Sequence, residues 1–159
     1  MLFPTMQVEC GFHAEKDGRE LLVEIGPEIQ VVISFDPAHF SKTFIHNPSH
    51  PLPSMNVQAL VDTGAKNNHI DANVAKALNL PVVNRRTIAG SSGKHVVDVY
   101  LAHIHIPALE ETIPGEFSGV KLVEAGSRHG AILGRTFLKN ITLVYKGLTG
   151  QVSLRNHRS

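Results

Sequence analysis

The residues of this 159-residue chain best placed to do chemistry are Asp62, Thr63 and Gly64, in the run Leu60-Val61-Asp62-Thr63-Gly64-Ala65. An apolar strand stops there at an acid, a small hydroxyl residue and a glycine. In a catalytic turn, Asp62 would present a carboxylate at a strand end, in a partly apolar cleft. Thr63 could hydrogen-bond from beneath and hold neighbouring chain in register. Gly64 would let the backbone approach the carboxylate and donate its N–H to it. The competing reading is an ordinary strand followed by an Asp-Gly turn, since both residues are common in turns. Later in the chain, Ala131-Ile132-Leu133-Gly134 is a second apolar strand ending in glycine, and Arg135 to Leu138 continues it as a short helical turn.

Other groups were weighed against this segment. Among ten histidines, His103 and His105 share one face of a strand, with Glu110 and Glu111 following. Structural zinc sites need four ligands, so a polar strand face is the preferred reading and no metal or other cofactor is expected. His129, just before Gly130, reads as a loop residue near the cleft rather than a catalytic base. No Gly-x-Ser-x-Gly elbow and no phosphate-cradling Gly-rich loop with Lys-Ser/Thr occurs. Cys10 is the only cysteine, so no internal disulfide can form, and nothing basic surrounds it to activate the thiol.

The elements that must position Asp62 read mostly as strands. Arg19 to Ile25 is expected as a first strand and Ile29 to Phe35 as a second, with Gly26-Pro27 between them. Residues 38–55, with Pro48, Pro51 and Pro53, form the longest irregular stretch. Val57 to Val61 is the strand feeding Asp62. Asp71 can cap a short helix from Ala72 to about Leu78, with Ile70, Val74, Ala77 and Leu78 on one face, and Pro81 forbids its continuation. Thr87 to Ile106 reads as a hairpin tipped by Gly90-Ser91-Ser92-Gly93, with Val97, Val99 and Leu101 on one side of its second arm. Ile141 to Tyr145 and Gln151 to Leu154 make a closing hairpin. The whole suggests a small closed barrel or folded-over sheet with one or two short helices.

Size and charge limit the alternatives. A 17.3 kDa chain should bury about 69% of its unfolded surface, which suits one domain over residues 1–159. A formal net charge of +1 with scattered basic residues argues against a nucleic-acid partner. No apolar run approaches the roughly 20 residues of a membrane helix, so no membrane partner is expected. Met1-Leu2-Phe3-Pro4 lacks the basic and apolar regions of a secretory signal, which together with the lone Cys10 favours a cytoplasmic setting.

In order along the chain come Ala-Leu-Val-Asp-Thr-Gly-Ala, a helix ending in Leu78-Asn79-Leu80-Pro81, a glycine-tipped hairpin, and Ile-Leu-Gly-Arg before the last hairpin. Over about Ile29 to Leu154 the sequence resembles the retroviral-type, or retropepsin-like, aspartic proteases, above all bacterial single-domain members. The resemblance implies a mostly β, retropepsin-like closed barrel, the acid protease fold, with a flap hairpin. It implies that Asp62 is the catalytic aspartate and that the Thr63 hydroxyl locks two copies of the loop together. Gly64 and Ala65 would line the cleft and contact substrate backbone. Gly90, Ser91, Ser92 and Gly93 would form the flap over a bound peptide. Ile132, Leu133 and Gly134 would pack across the active-site loop, with Arg135 as the structural arginine. Two positions depart from the family: Lys66 stands where the viral enzymes carry an acid that pairs with this arginine, and Thr136 where Asp or Asn is frequent. Residues 1–28 form an N-terminal extension without a clear counterpart, as does the 38–55 loop.

Aspartic protease chemistry needs two carboxylates about 3 Å apart that share one proton. Of the five aspartates at 17, 36, 62, 71 and 98, only Asp62 precedes Thr-Gly or Ser-Gly. The expected enzyme is therefore a homodimeric aspartic endopeptidase with one Asp62 from each chain at the two-fold axis. Its partners would be a peptide or protein substrate and a second copy of itself. Cleft walls built from Val61, Ile88, Ile132 and Leu133 would favour apolar side chains beside the scissile bond. The alternative is a dimeric peptide-binding or assembly module that kept the fold and lost useful turnover.

Overall fold

A computed structural model of the chain describes residues 4–40 and 52–157. Most of the expected irregular loop, residues 41–51, lies outside the described residues. The first half of the chain folds as β1 (Gln7–Glu9), α1 (Gly18–Ile25), β2 (Glu28–Ser34), α2 (Pro37–Phe40), β3 (Ser54–Val61), β4 (His69–Asp71) and α3 (Ala72–Ala77). The second half adds β5 (Val82–Gly90), β6 (Gly93–Ile106), a 3₁₀ turn (Pro107–Leu109), β7 (Glu111–Val120), β8 (Ala131–Leu133), α4 (Arg135–Leu138), β9 (Ile141–Lys146) and β10 (Gln151–Asn156).

Six strands pair in the cycle β2-β3-β8-β4-β7-β6, and a second pairing between β2 and β6 closes it. β5 hangs on the outside of β6 and completes the flap hairpin. A separate antiparallel sheet runs β1-β10-β9. Strand alternation places Ile29, Val31 and Ile33 of β2, Ala59 and Val61 of β3, and Tyr100, Ala102, Ile104 and Ile106 of β6 in one buried cluster. Val152 and Leu154 of β10 join the same cluster. Each large aliphatic side chain buried there contributes about 1.5–3 kcal/mol relative to exposure.

Arg19 to Ile25, expected as a strand, is instead the body of α1. A strand would place Leu21, Val23 and Ile25 on one face, yet Val23 is 84% exposed. Gly18 and Leu22 are buried and Leu21 and Ile25 half-buried, a helical spacing that leaves Arg19, Glu20 and Glu24 in water. In α3, Ala75 rather than Ala77 faces the core. The expected cap holds: Asp71 Oδ2 accepts from the N–H groups of Asn73 (3.0 Å) and Val74 (3.3 Å). Its Oδ1 also accepts from the N–H groups of Leu122 (2.9 Å) and Val123 (3.0 Å), tying the helix to a turn fifty residues on. β1, β4 and β7 were not expected. Pro114 masks β7, but along Glu111–Phe117 this strand pairs only with β6, so one edge has no ladder for proline to break.

Candidate active site

β3 and β8 run parallel, Ala59 opposite Ala131 and Val61 opposite Leu133, so both strands end on the same side of the barrel. Asp62 leaves β3 there with its N–H bonded to the Leu133 carbonyl at 3.0 Å. The Gly64 N–H donates to Asp62 Oδ1 at 2.7 Å, which fixes the carboxylate's direction. The Ala65 N–H closes the turn on the Asp62 carbonyl at 3.3 Å. Asp62 is half-buried and Thr63 is exposed.

The turn after β8 clamps this loop from behind. The Arg135 N–H donates to the Ala65 carbonyl (2.9 Å) and the Thr136 N–H to the Lys66 carbonyl (3.0 Å). The Gly134 N–H donates to Asn68 Oδ1 at 2.8 Å. A Cβ on Gly134 would lie 2.4 Å from the Asn67 carbonyl oxygen, so no side chain fits there. With Lys66 at the position where the resemblance leads one to expect an acid partner, the Arg135 guanidinium bonds elsewhere: Nη1 donates to the Thr63 carbonyl at 2.7 Å. The loop is thus held through its backbone.

Asp62, Gly64 and Ala65 line an open cleft with Ile132 and Arg135, and the flap residues Ile88, Gly90, Ser91 and Ser92 line its other wall. At the flap tip Gly90 pairs with Gly93, whose φ of +108° suits glycine, and Ser92 Oγ lies 3.0 Å from His95 Nε2. Ile88 and Ile132 stand in the cleft as expected. Val61 and Leu133 do not: by strand alternation both turn into the barrel core.

The structure adds His69, which the sequence reading did not single out. It lines the cleft beside Asp62, and its Nδ1 is buried without a hydrogen-bond partner. Burial pushes the pKa of His69 down, the Arg86 charge pushes it further down, and Asp62 opposes them. Its register neighbours are Ile132 and Ser118. Ile70 faces the core, so alternation sends His69 to the cleft side. A three-residue strand that runs straight into α3 carries no strand signal from which to read that parity.

The remaining candidates go elsewhere. His103 is buried, accepts from the Asp36 N–H at Nδ1 (3.3 Å), and packs edge-on against His39. Burial and then His39 push its pKa down, with Asp36 opposing. His105 Nδ1 lies 2.8 Å from Thr112 Oγ1, and Glu111 accepts from Asn156. Among the described residues no three His, Cys, Asp or Glu side chains are grouped to hold a metal. His129, expected near the cleft, is instead buried away from it, between Glu28 Oε2 (2.9 Å) and Ser127 Oγ (3.1 Å). Asp98 does reach the cleft, but is ion-paired with Arg85 at 3.2 Å.

Residues 54–140, more than half of the chain, match the family described as "gag-polyprotein putative aspartyl protease". The chain belongs to this family. The matched stretch of this member of the retropepsin-like family runs from the first residue of β3 to just past α4, so it contains Asp62, the flap hairpin and the clamping turn. Among solved structures, the fold is similar to that of a retropepsin-like aspartic protease from Rickettsia conorii, with a TM-score of 0.50 at 14% identity over 96% of this chain and 92% of that one. No protein of curated function matches the chain. Among the described residues no helix is long and apolar enough to cross a membrane.

Proposed function

We propose that the chain is an aspartic endopeptidase whose active site forms at a homodimer two-fold axis from one Asp62 of each copy. The observation that carries this reading is the half-buried Asp62 carboxylate, aimed by the Gly64 N–H, in a cleft between a clamped loop and a flap. In the dimer the two Asp62 side chains share one proton. The ionised member takes a proton from water, which attacks the peptide carbonyl, while the protonated member polarises that carbonyl. The dyad titrates as a unit, and no covalent enzyme intermediate forms.

Thr63, which is exposed in the single chain, hydrogen-bonds through its hydroxyl to the second copy's loop in this reading. Gly64 and Ala65 meet substrate backbone, and Gly90 to Gly93 close over it as a flap that excludes water. Ile88 and Ile132 favour apolar side chains beside the scissile bond. One domain over the whole chain and a cytoplasmic setting belong to the same reading.

The test is to incubate wild type and Asp62→Asn with a diverse peptide library from pH 3 to 7 and analyse the products by mass spectrometry. Cleavage by wild type alone, with specific activity falling on dilution below the dimer dissociation constant, is the expected result. No cleavage by either protein, with both dimeric, replaces the enzyme with a peptide-binding or assembly module.

A further inference from the structure

The cleft is far more basic than the chain. The whole chain has a formal charge of +1, yet six Lys or Arg side chains line the cleft against three acids, Asp62, Asp98 and Glu124. The part of the chain outside the cleft is therefore net negative. Two of the acids are already engaged: Asp98 with Arg85 at 3.2 Å and Glu124 with Lys121 at 3.6 Å. Arg135 is turned onto the Thr63 carbonyl. Among the described residues Arg86 has only the exposed Glu116 as an ion-pair partner, at 3.9 Å. Lys66 and Lys76 have no acid within 4.0 Å among the described residues, and both are exposed.

These cations surround the path a peptide would take. Lys66 directly follows the Asp62 loop, Lys76 projects from α3, and Arg86 stands on the flap arm. The Arg86 charge is felt at His69, next to Asp62, so it acts on the centre of the cleft and not only on bulk water. A cleft with an excess of one sign of charge concentrates partners of the opposite sign.

We infer that the cleft selects acidic peptides, with Glu or Asp flanking an apolar scissile pair and held by Lys66, Lys76 and Arg86. This rests on the peptidase reading above and names its substrate class. Asp62 repels an acid directly at the scissile bond, so the acids belong further out. An extended peptide rises about 3.3 Å per residue with side chains alternating, so an acid two positions out lies about 7 Å from the reacting centre on the same face. Lys66 is central to this assignment. The departure that costs Arg135 its acid partner also turns an acidic wall into a basic one.

The experiment uses fluorescently labelled extended peptides with one fixed apolar pair, flanked by Glu, Gln or Lys. Binding to full-length Asp62→Asn is measured by anisotropy, and wild-type kcat/KM is measured on the same set. The Glu peptides are expected to bind roughly fivefold better than the Gln peptides in low salt, with the Lys peptides weakest. That preference should vanish at about 1 M salt, where the screening length falls to about 3 Å. It should also be lost in Lys66→Glu/Lys76→Glu and kept in Lys146→Glu, whose charge lies on β9 outside the cleft.

Equal binding of Glu and Gln peptides, or a preference that survives the cleft charge reversal, overturns the inference. So does a single-stranded oligonucleotide that displaces every peptide. Asp62-dependent cleavage without charge preference removes this inference alone and leaves the peptidase. Charge-selective binding without cleavage removes the peptidase and leaves the cleft as a site for acidic peptide.

Discussion

From Val99 to Ile106, β6 pairs with β7, and at His103–His105 its other edge pairs with β2. From Gly93 to Asp98 the same strand pairs with β5 alone. The inner half buries Val99, Tyr100, Ala102, Ile104 and Ile106, whereas in the outer half Val96 is 69% exposed. The outer half is thus bonded along one edge only and buries little, whereas the inner half is both paired on two edges and packed into the core. A hairpin that buries little opens at low free energy, and a strand walled into a barrel opens only with the whole fold. One continuous strand therefore has a fully packed wall at one end and a sparsely packed hairpin at the other.

The sharpest way to break that contrast is to truncate one residue in each half. Ile104→Ala should cost about 3–4 kcal/mol and lower Tm by roughly 10 °C, because a fully buried aliphatic side chain leaves a cavity. Val96→Ala should stay within about 0.5 kcal/mol of wild type. Equal losses in thermal melts would show that the flap is packed as firmly as the wall.

Gly134→Ala asks whether the rigid region extends to the Asp62 loop. A Cβ at 2.4 Å from the Asn67 oxygen and 2.8 Å from the Ala65 oxygen forces the clamp apart, so a loss of about 2–3 kcal/mol is expected in urea melts. A near-neutral result would place the loop with the mobile flap.

Acid should weaken the wall. The pKa values of His69 and His103 are lowered from 6.5 in the fold, so the unfolded chain binds their protons first as pH falls. Stability contributed by their neutral forms is fully present above about pH 6.5 and is lost below it, down through their folded-state pKa values. His103→Gln should flatten that acid limb in melts between pH 7 and 5 if the wall, rather than the flap, carries the pH dependence.

The smallest effect should come from the flap's own ion pair. Arg85 and Asp98 are at least a third exposed, so Arg85→Gln should change Tm by the equivalent of only a few tenths of a kcal/mol, about 0.3 kcal/mol, and less still in high salt. Hydrogen exchange of the Arg85 to Asp98 amides should already be fast in wild type, leaving little for the substitution to loosen.

What could be read in advance was what is local. The glycine tip at Gly90 to Gly93, the Asp71 cap and the strand entering Asp62 each declare themselves within a few residues. α1 was misread because Leu21-Leu22-Val23 is apolar at both periods, and only the burial of Leu22 with Val23 exposed separates helix from strand. β7 was missed because Pro114 and Gly115 read as loop, and their tolerance depends on an edge left unpaired by β4. His69 was missed because its facing is set by a three-residue strand whose pairing partners lie far along the chain.

The amino-acid sequence alone determined the chemistry on offer: one Asp-Thr-Gly per chain, a glycine-tipped hairpin, and a lysine four residues after Asp62. Side-chain identity and short-range turn geometry suffice for that. Only the tertiary structure decided that β8 lies parallel to β3, that Gly134 presses on the Asn67 carbonyl, that β2 meets β6 to close the ring, and that Lys66, Lys76 and Arg86 share one cleft. Each depends on which distant strand satisfies a given row of N–H and C=O groups. Any extended segment offers those groups alike, so the choice among partners falls to long-range packing.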